Sequence, residues 1–300
     1  MRLGIDLGGT KTEIIALNDN GKEIYRKRVN TESGSYEGIV STIAGLVTEA
    51  ESVLGKTGSV GVGIPGTISS KTGCVKNANT NALNGHPLDR DLSQILKREV
   101  RCMNDANCLA LSEAVDGAGA GYNVVFAVIL GTGCGSGIAV GGKHLAGHNL
   151  VAGEWGHNPL PWMKPDEYPG PACWCGKKSC IEKWISGKGF EEDYSRTTEN
   201  SSVVTSEQIV AMARKGEKSA QAALDRYIDR LARSLAHVIN ILDPDIIVLG
   251  GGMSNVTELY EMVPKQLFSS VFGQEVQTQI VKSKHGDSSG VRGAAWLWTE

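Results

Sequence analysis

No apolar run in this chain approaches the ~18 residues needed to cross a bilayer. The opening MRLGIDLGG holds no hydrophobic stretch of signal-peptide length. Both absences lead to the expectation of a cytoplasmic protein with no membrane partner. A basic excess is missing too. The net charge is −3, which argues against a general nucleic-acid binder and its basic face. In a reducing cytoplasm the seven cysteines are not a disulfide framework.

What is present is an ordinary globular balance, 41% hydrophobic and 21% charged residues. A chain of 300 residues predicts two domains. Its 38 glycines cluster between apolar runs, a pattern suited to tight turns and close backbone approach. Leu3–Leu7 reads as a strand running into Gly8-Gly9-Thr10. Thr12–Leu17 and Lys22–Val29 continue an antiparallel meander. Tyr36–Leu54 has helical periodicity, and Ser59–Ile64 is a buried strand broken by Pro65-Gly66. Leu88–Glu99 reads as a helix, Val100–Met103 as a strand, and Asn104–Val115 as a helix with Asp105 at its start.

Gly117–Tyr122 is a small-residue boundary, and the opening pattern returns after it. Val124–Leu130 leads into Gly131-Thr132-Gly133, and Gly137–Val140 resumes as a strand. Laying Leu7 on Leu130 also lays Ala16 on Ala139, so the halves read as a duplication. Helices over Ser206–Lys215 and Ser219–Leu242 precede a strand, Asp245–Leu249. There Gly250-Gly251-Gly252 opens another helix, and Gly290–Trp298 closes the chain as a last one. The expected domains are 1–117, joined by a C-terminal helix over 290–300, and 118–289, which carries a cysteine-rich loop.

Three glycine-rich turns carry the chemistry. In Asp6-Leu7-Gly8-Gly9-Thr10-Lys11, backbone N–H groups at a strand-to-strand turn can approach an anion. It is not a P-loop, because Lys11 follows Thr10 and precedes a strand. A plain hairpin would use the same glycines. Gly131-Thr132-Gly133 is the second turn. Ser136 spoils the G-x-G-x-x-G pattern and disfavours a dinucleotide fold. Gly250-Gly251-Gly252, after a strand, lets a flat ring or a phosphate touch the backbone, as any helix-capping loop would. His157 with Cys173-Trp174-Cys175 and Cys180 offers the four soft ligands of a closed tetrahedral zinc site. Four protein ligands leave no open position, so the zinc is read as structural.

These turns in this order, with Asn104-Asp105-Ala106-Asn107 between the first two, resemble the ROK family of sugar kinases and repressors over essentially the whole chain. The resemblance implies an α/β, actin-like ATPase (ribonuclease H-like) fold, duplicated, with a cleft between the domains. It implies that Asp6, Gly8, Gly9, Thr10, Lys11, Gly131, Thr132 and Gly133 serve ATP phosphates and magnesium. By the same likeness Gly250, Gly251 and Gly252 serve adenosine. Asp105 would be the base that accepts a sugar hydroxyl's proton. At a helix start a plain N-cap is otherwise the commoner use of an aspartate. Pro65, Gly66, Asn79, Asn104, Asp105, Glu154, His157 and Glu182 would contact the sugar. The family pattern Cys-x-Cys-Gly-x-x-Gly-Cys matches the metal loop, except that Ser179 stands where a glycine is usual.

The implied activity is transfer of the γ-phosphate of ATP to a hexose. The stretch Glu154–Trp162 looks closest to fructokinases that form fructose 6-phosphate and also accept mannose. The alternatives are an N-acetylglucosamine kinase or glucokinase of the same family. A sugar-responsive regulator is disfavoured, because the first turn begins within ten residues of Met1 and leaves no room for a helix-turn-helix. Family likeness also implies a homodimer.

Overall fold

The computed structural model describes residues 1–198, 203–273 and 275–298. The first sheet is built from β1 (Arg2–Leu7), β2 (Lys11–Leu17), β3 (Glu23–Asn30) and β4 (Ser59–Ile64). A small hairpin, β5 (Thr67–Ile68) and β6 (Val75–Lys76), precedes its fifth strand, β7 (Val100–Asn104). The order is β3-β2-β1-β4-β7. The meander β1–β3 is antiparallel, and β4 and β7 continue the sheet parallel to β1. Leu3, Ile5 and Leu7 of β1, and Val60, Val62 and Ile64 of β4, are buried. The edge strand β3 instead carries Arg26, Lys27 and Arg28, which discourage edge pairing with another chain.

Helix α1 (Tyr36–Leu54) covers this sheet with Ile39, Val40, Ile43, Leu46, Val47 and Ala50. Ser35 Oγ caps it by accepting from Gly38 N–H at 3.1 Å, and Gly55 ends it in the left-handed region. Helix α2 (Leu88–Leu96) stops short of the expected Glu99, because Lys97 turns left-handed at φ 53°.

The second sheet consists of β8 (Val124–Leu130), β9 (Cys134–Val140), β10 (Lys143–His144), β11 (Ile246–Gly250) and β12 (Gln279–Lys282), in the order β10-β9-β8-β11-β12. β11 runs parallel to β8 and β12 parallel to β11, as β4 does to β1 and β7 to β4. The strand orders match position for position, so the repeat read from Leu7/Leu130 and Ala16/Ala139 is a repeat of topology.

The chain divides into two compact units. One is Met1–Gly121, Gly137–Ala152 and Asp287–Glu300; the other is Tyr122–Ser136 and Gly153–Gly286. Residues 299–300 of the expected last helix lie outside the described residues. Gly137–Ala152, expected in the second domain, belongs with the first, and helix α3 (Asp105–Val115) shows why. α3 is buried nearly all round, from Ala106 through Ala114. A Cβ at Gly137 would overlap the Ala106 carbonyl, and one at Gly293 would overlap the Cys108 carbonyl. Only glycine lets both neighbours close on the helix backbone. Gly293 lies on α9 (Ser289–Ala295), which a single 3₁₀ turn, Trp296–Trp298, follows.

The second unit adds α4 (Glu182–Ile185), α5 (Gly187–Thr198), α6 (Ser206–Arg214), α7 (Lys218–Leu242) and α8 (Glu258–Leu267). The glycine run after β11 opens only a 3₁₀ turn, Gly252–Asn255, and the helix begins later, at Glu258. No helix among the described residues is long and apolar enough to cross a membrane.

The irregular stretch 158–180 is tied to α7 by buried charge. Glu167 Oε1 accepts from Arg230 Nε at 2.9 Å and from Arg233 Nη2 at 2.7 Å, and Arg230 also meets Asp193 at 2.9 Å. Burial alone would raise the Glu167 and Asp193 carboxyls, but the surrounding arginines hold both below their ordinary range. Glu167→Ala leaves two buried guanidiniums short of an acid and should cost about 3–5 kcal/mol, read as a lower urea midpoint. A midpoint unchanged from wild type would show that the network does not hold this loop.

Candidate functional site

In the first unit the candidate residues gather at the carboxyl ends of adjacent parallel strands. Asp6 of β1 pairs in register with Gly63 of β4, and Ile64 pairs with Asn104 of β7. Ligands bind at this end of a parallel sheet. The turn after β1 is tightly held. Gly8 N–H donates to Lys11 O at 3.0 Å, Thr31 Oγ1 donates to Gly8 O at 2.8 Å, and Thr31 N–H donates to Thr10 O at 2.9 Å. A Cβ on Gly9 would lie 3.7 Å from Thr80 Oγ1, so Asn79 and Thr80 stand next to this turn. Asn79 and Lys11 are exposed. Pro65-Gly66 closes tightly on β4, with Gly66 N–H donating to Ile64 O at 2.9 Å.

Asn104 is the N-cap of α3. Its Oδ1 accepts from Ala106 N–H at 3.0 Å and from Asn107 N–H at 3.4 Å. Asp105 is the first helical residue, with Oδ1 2.8 Å from the Ala106 N–H. The capping role that would explain an aspartate here is therefore carried by its neighbour. Burial pushes the Asp6 carboxyl up to about 6, and the nearby Asp105 and Glu13 charges add to the rise while Arg28 opposes it. Two carboxylates thus sit close enough in this unit to repel one another.

In the second unit the other two glycine turns abut. Gly251 has φ +78°, and a Cβ there would strike the Leu130 carbonyl and the Gly131 nitrogen. Gly131 O accepts from Gly187 N–H at 2.7 Å, which brings the start of α5 to the same place. Around them lies a cavity of about 640 Å³, whose walls include Thr132, Lys188, Glu191, Ser206, Arg214 and Met253. Gly131 and Gly252 line it, whereas Gly250 ends β11 behind it. Glu191 Oε1 accepts from both the backbone N–H and the hydroxyl of Ser206, each at 2.8 Å.

Glu154–His157 is a 3₁₀ turn that starts after Gly153, whose carbonyl accepts from Ser136 Oγ. Trp155 anchors the turn, packing edge-on against Phe126 with centroids 5.4 Å apart. Glu154 is exposed. Glu182 has both oxygens engaged: Oε2 accepts from Cys134 N–H at 3.0 Å and Oε1 from Trp174 Nε1 at 2.9 Å.

The ligand atoms of His157, Cys173, Cys175 and Cys180 all lie within 4.8 Å of one another. Cys175 Sγ is 3.5 Å from Cys180 Sγ, and Cys173 Sγ is 3.7 Å from His157 Nδ1. Ligands about 2.0–2.3 Å from a tetrahedral zinc stand at roughly such separations, so the donor set fits that ion. The Lys177 backbone N–H holds the Cys175 thiol below its usual range. Nδ1 faces the sulfurs, which leaves Nε2 pointing elsewhere.

The ROK family pattern matches residues 2–300. The chain belongs to the ROK family. It is 41% identical to N-acetyl-D-glucosamine kinase of Yersinia pseudotuberculosis, covering 99% of this chain and 98% of that one. Among solved structures it is similar to a ROK hexokinase from Thermus thermophilus, at 28% identity and TM-score 0.87, covering 98% and 96% of the two chains. It is also similar to a ROK glucokinase from Streptomyces griseus in complex with glucose and AMPPNP, at 28% identity and TM-score 0.79, covering 99% and 98%. The fold is thus the actin-like ATPase fold of this family, with two α/β domains.

Against this ROK background, Lys188, Glu191 and Ser206 are the cavity residues that motif reading missed. The glycines flanking Lys188 were the available signal. Ser179, where the ROK pattern places glycine, adopts φ +59°. Its hydroxyl is buried and makes no hydrogen bond among the described residues. Left-handed backbone costs a residue with a Cβ about 1–2 kcal/mol. Ser179→Gly should therefore stabilise the protein by about 1 kcal/mol after the entropy of the unfolded glycine is subtracted. Chemical denaturation checks this; a lower midpoint would show the serine to be favourable.

Proposed function

We propose that this chain is an ATP-dependent sugar kinase that transfers the γ-phosphate to the 6-hydroxyl of N-acetyl-D-glucosamine. The observation that carries the reading is 41% identity to an N-acetyl-D-glucosamine kinase over 99% of the chain. The fructose preference expected from Glu154–Trp162 is given up, since the relatives near 40% identity, from Yersinia and Pectobacterium, bear the acetylated sugar's name.

The geometry supports a division of labour. In the first unit Asp105 is the base: it takes the proton as the sugar oxygen attacks phosphorus, and its rigid helix start keeps it in place. Asn104, Asn79 and Pro65-Gly66 supply sugar contacts beside it. Gly8-Gly9-Thr10, with Lys11, presents N–H groups to phosphate oxygens, and Asp6 orients the water shell of the nucleotide's magnesium. Magnesium would neutralise phosphate charge as it is transferred.

In the second unit Gly131-Thr132-Gly133 receives phosphate, and the cavity behind Gly251-Gly252 is of a size for adenosine. Glu154 and His157 Nε2 would accept from sugar hydroxyls, with Glu182 adding its remaining lone pairs. The Cys/His cluster would hold zinc as a structural ion and fix the loop that carries His157.

A panel of N-acetylglucosamine, N-acetylmannosamine, glucose, fructose and mannose with ATP and magnesium tests the substrate. Turnover of N-acetylglucosamine should exceed that of fructose by at least about tenfold in kcat/KM, roughly 1.4 kcal/mol. Fructose as the best acceptor would overturn the choice. Asp105→Asn should bind ATP normally yet lose about 10²–10⁴ in kcat. Turnover within about tenfold of wild type would remove Asp105 from the chemistry.

A further inference from the structure

Burial does not account for the position of Trp174. The residue is 73% exposed, and its ring and hydrogen-bond contacts among the described residues are confined to two groups of specific chemistry. It stands between two candidate metal ligands, Cys173 and Cys175. Its ring lies edge-on to the imidazole of a third, His157, with centroids 4.9 Å apart and an interplanar angle of 88°. Its indole N–H points out of the cluster and donates to Glu182 Oε1 at 2.9 Å. Glu182 is itself held near the cluster from the other side, two residues beyond Cys180 at the opening of α4. Its second oxygen accepts the Cys134 backbone N–H at 3.0 Å. A Cβ on Gly133 would come within 2.8 Å of that same oxygen, so a side chain at Gly133 would push the carboxylate away.

We propose that Trp174 and Glu182 form a strut through which the Cys/His cluster sets the geometry of the phosphate-binding turn Gly131–Cys134. Trp174 is then a positioning residue for nucleotide. This rests on the kinase reading and gives the metal loop a second task beyond holding sugar contacts. The physical case is electrostatic. A carboxylate beside a phosphate turn would repel the nucleotide if its charge faced the ligand. Here each oxygen already accepts an N–H, and the charge-assisted bond to Cys134 pins the end of the turn. With the Cys134 N–H committed, those of Thr132 and Gly133 are left for phosphate. Loss of the indole donor frees Oε1 and lets the carboxylate swing, and the turn loosens with it.

The test compares wild type and Trp174→Phe, which keeps the ring and its contact with His157 but deletes the N–H. Calorimetry of ATP binding, with and without metal removal by chelator, gives a double cycle. In metal-loaded protein the variant should bind ATP about tenfold or more weaker, the lower end of what one hydrogen bond to a charged group is worth. Its metal content should stay within about twofold of wild type, and any rise in its KM for sugar, which Glu182 also contacts, should be smaller than the loss of ATP affinity. Metal removal should weaken ATP binding in wild type and add little in the variant. ATP binding within twofold of wild type in loaded Trp174→Phe overturns the strut, as does an equal penalty for metal removal in both proteins. If metal-free protein unfolds, the loaded pair still decides. Failure of ATP to bind wild type at all would overturn the kinase reading, and the strut with it.

Discussion

The base role proposed for Asp105 requires that α3 cannot shift, and α3 is fixed by contacts of backbone with backbone. Gly137 and Gly293 approach it from two elements, each against a carbonyl in its first turn. Side chains can hop rotamers, but a backbone wedged between two backbones has no soft coordinate. The chain reaches these contacts from far away in sequence. One comes from the strand after the second glycine turn and the other from the last helix. This is why Gly137–Ala152 and the C-terminal helix both count with the first unit. The unit is completed by two segments that alternate with those of the other unit along the chain.

The same unit accepts an electrostatic cost. Asp6 is half-buried near Asp105 and Glu13, and its carboxyl is pushed up to about 6. Arg26 and Arg28 pair with Glu13 at 2.6 and 2.7 Å, so the repulsion left over is chiefly that between Asp6 and Asp105. Such an arrangement becomes favourable when a cation and its bound phosphates share the space, because the repulsion is then converted into binding. The register that aligns Asp6 with Gly63, and Ile64 with Asn104, supplies the geometry.

Much of this was legible in the chain itself. The meander, the helix over Tyr36–Leu54 and the repeat about Leu7 and Leu130 rest on local periodicity, which sequence states directly. The grouping of His157, Cys173, Cys175 and Cys180 was legible from residue type and spacing, and the structure brings their ligand atoms within 4.8 Å of one another. What was not legible depends on partners distant in sequence. Lys188, Glu191 and Ser206 meet the glycine turns only because Gly187 N–H reaches Gly131 O. The early end of α2 at Lys97 and the 3₁₀ turn at Gly252–Asn255 are tertiary outcomes that propensity does not foresee. The fructose expectation stood on weak ground for a related reason. The run Glu154–Trp162 is dominated by residues that build the turn, such as Trp155 against Phe126, and these say little about the sugar.

Ser179 shows the limits of pattern more sharply. A glycine position in a motif can mark a ligand approach or a backbone angle, and the two tolerate substitution differently. At φ +59° the serine keeps the turn. The neighbouring cysteines keep their separations, and the cost falls on stability, through the angle and the unsatisfied hydroxyl. Gly133 is the opposite case. Its missing side chain makes room for a carboxylate oxygen, so a substitution there would displace Glu182 and disturb the turn Gly131–Cys134. Of the two positions, 133 makes room for another group and excludes a side chain, whereas 179 supplies a backbone angle and accepts a serine at an energetic penalty.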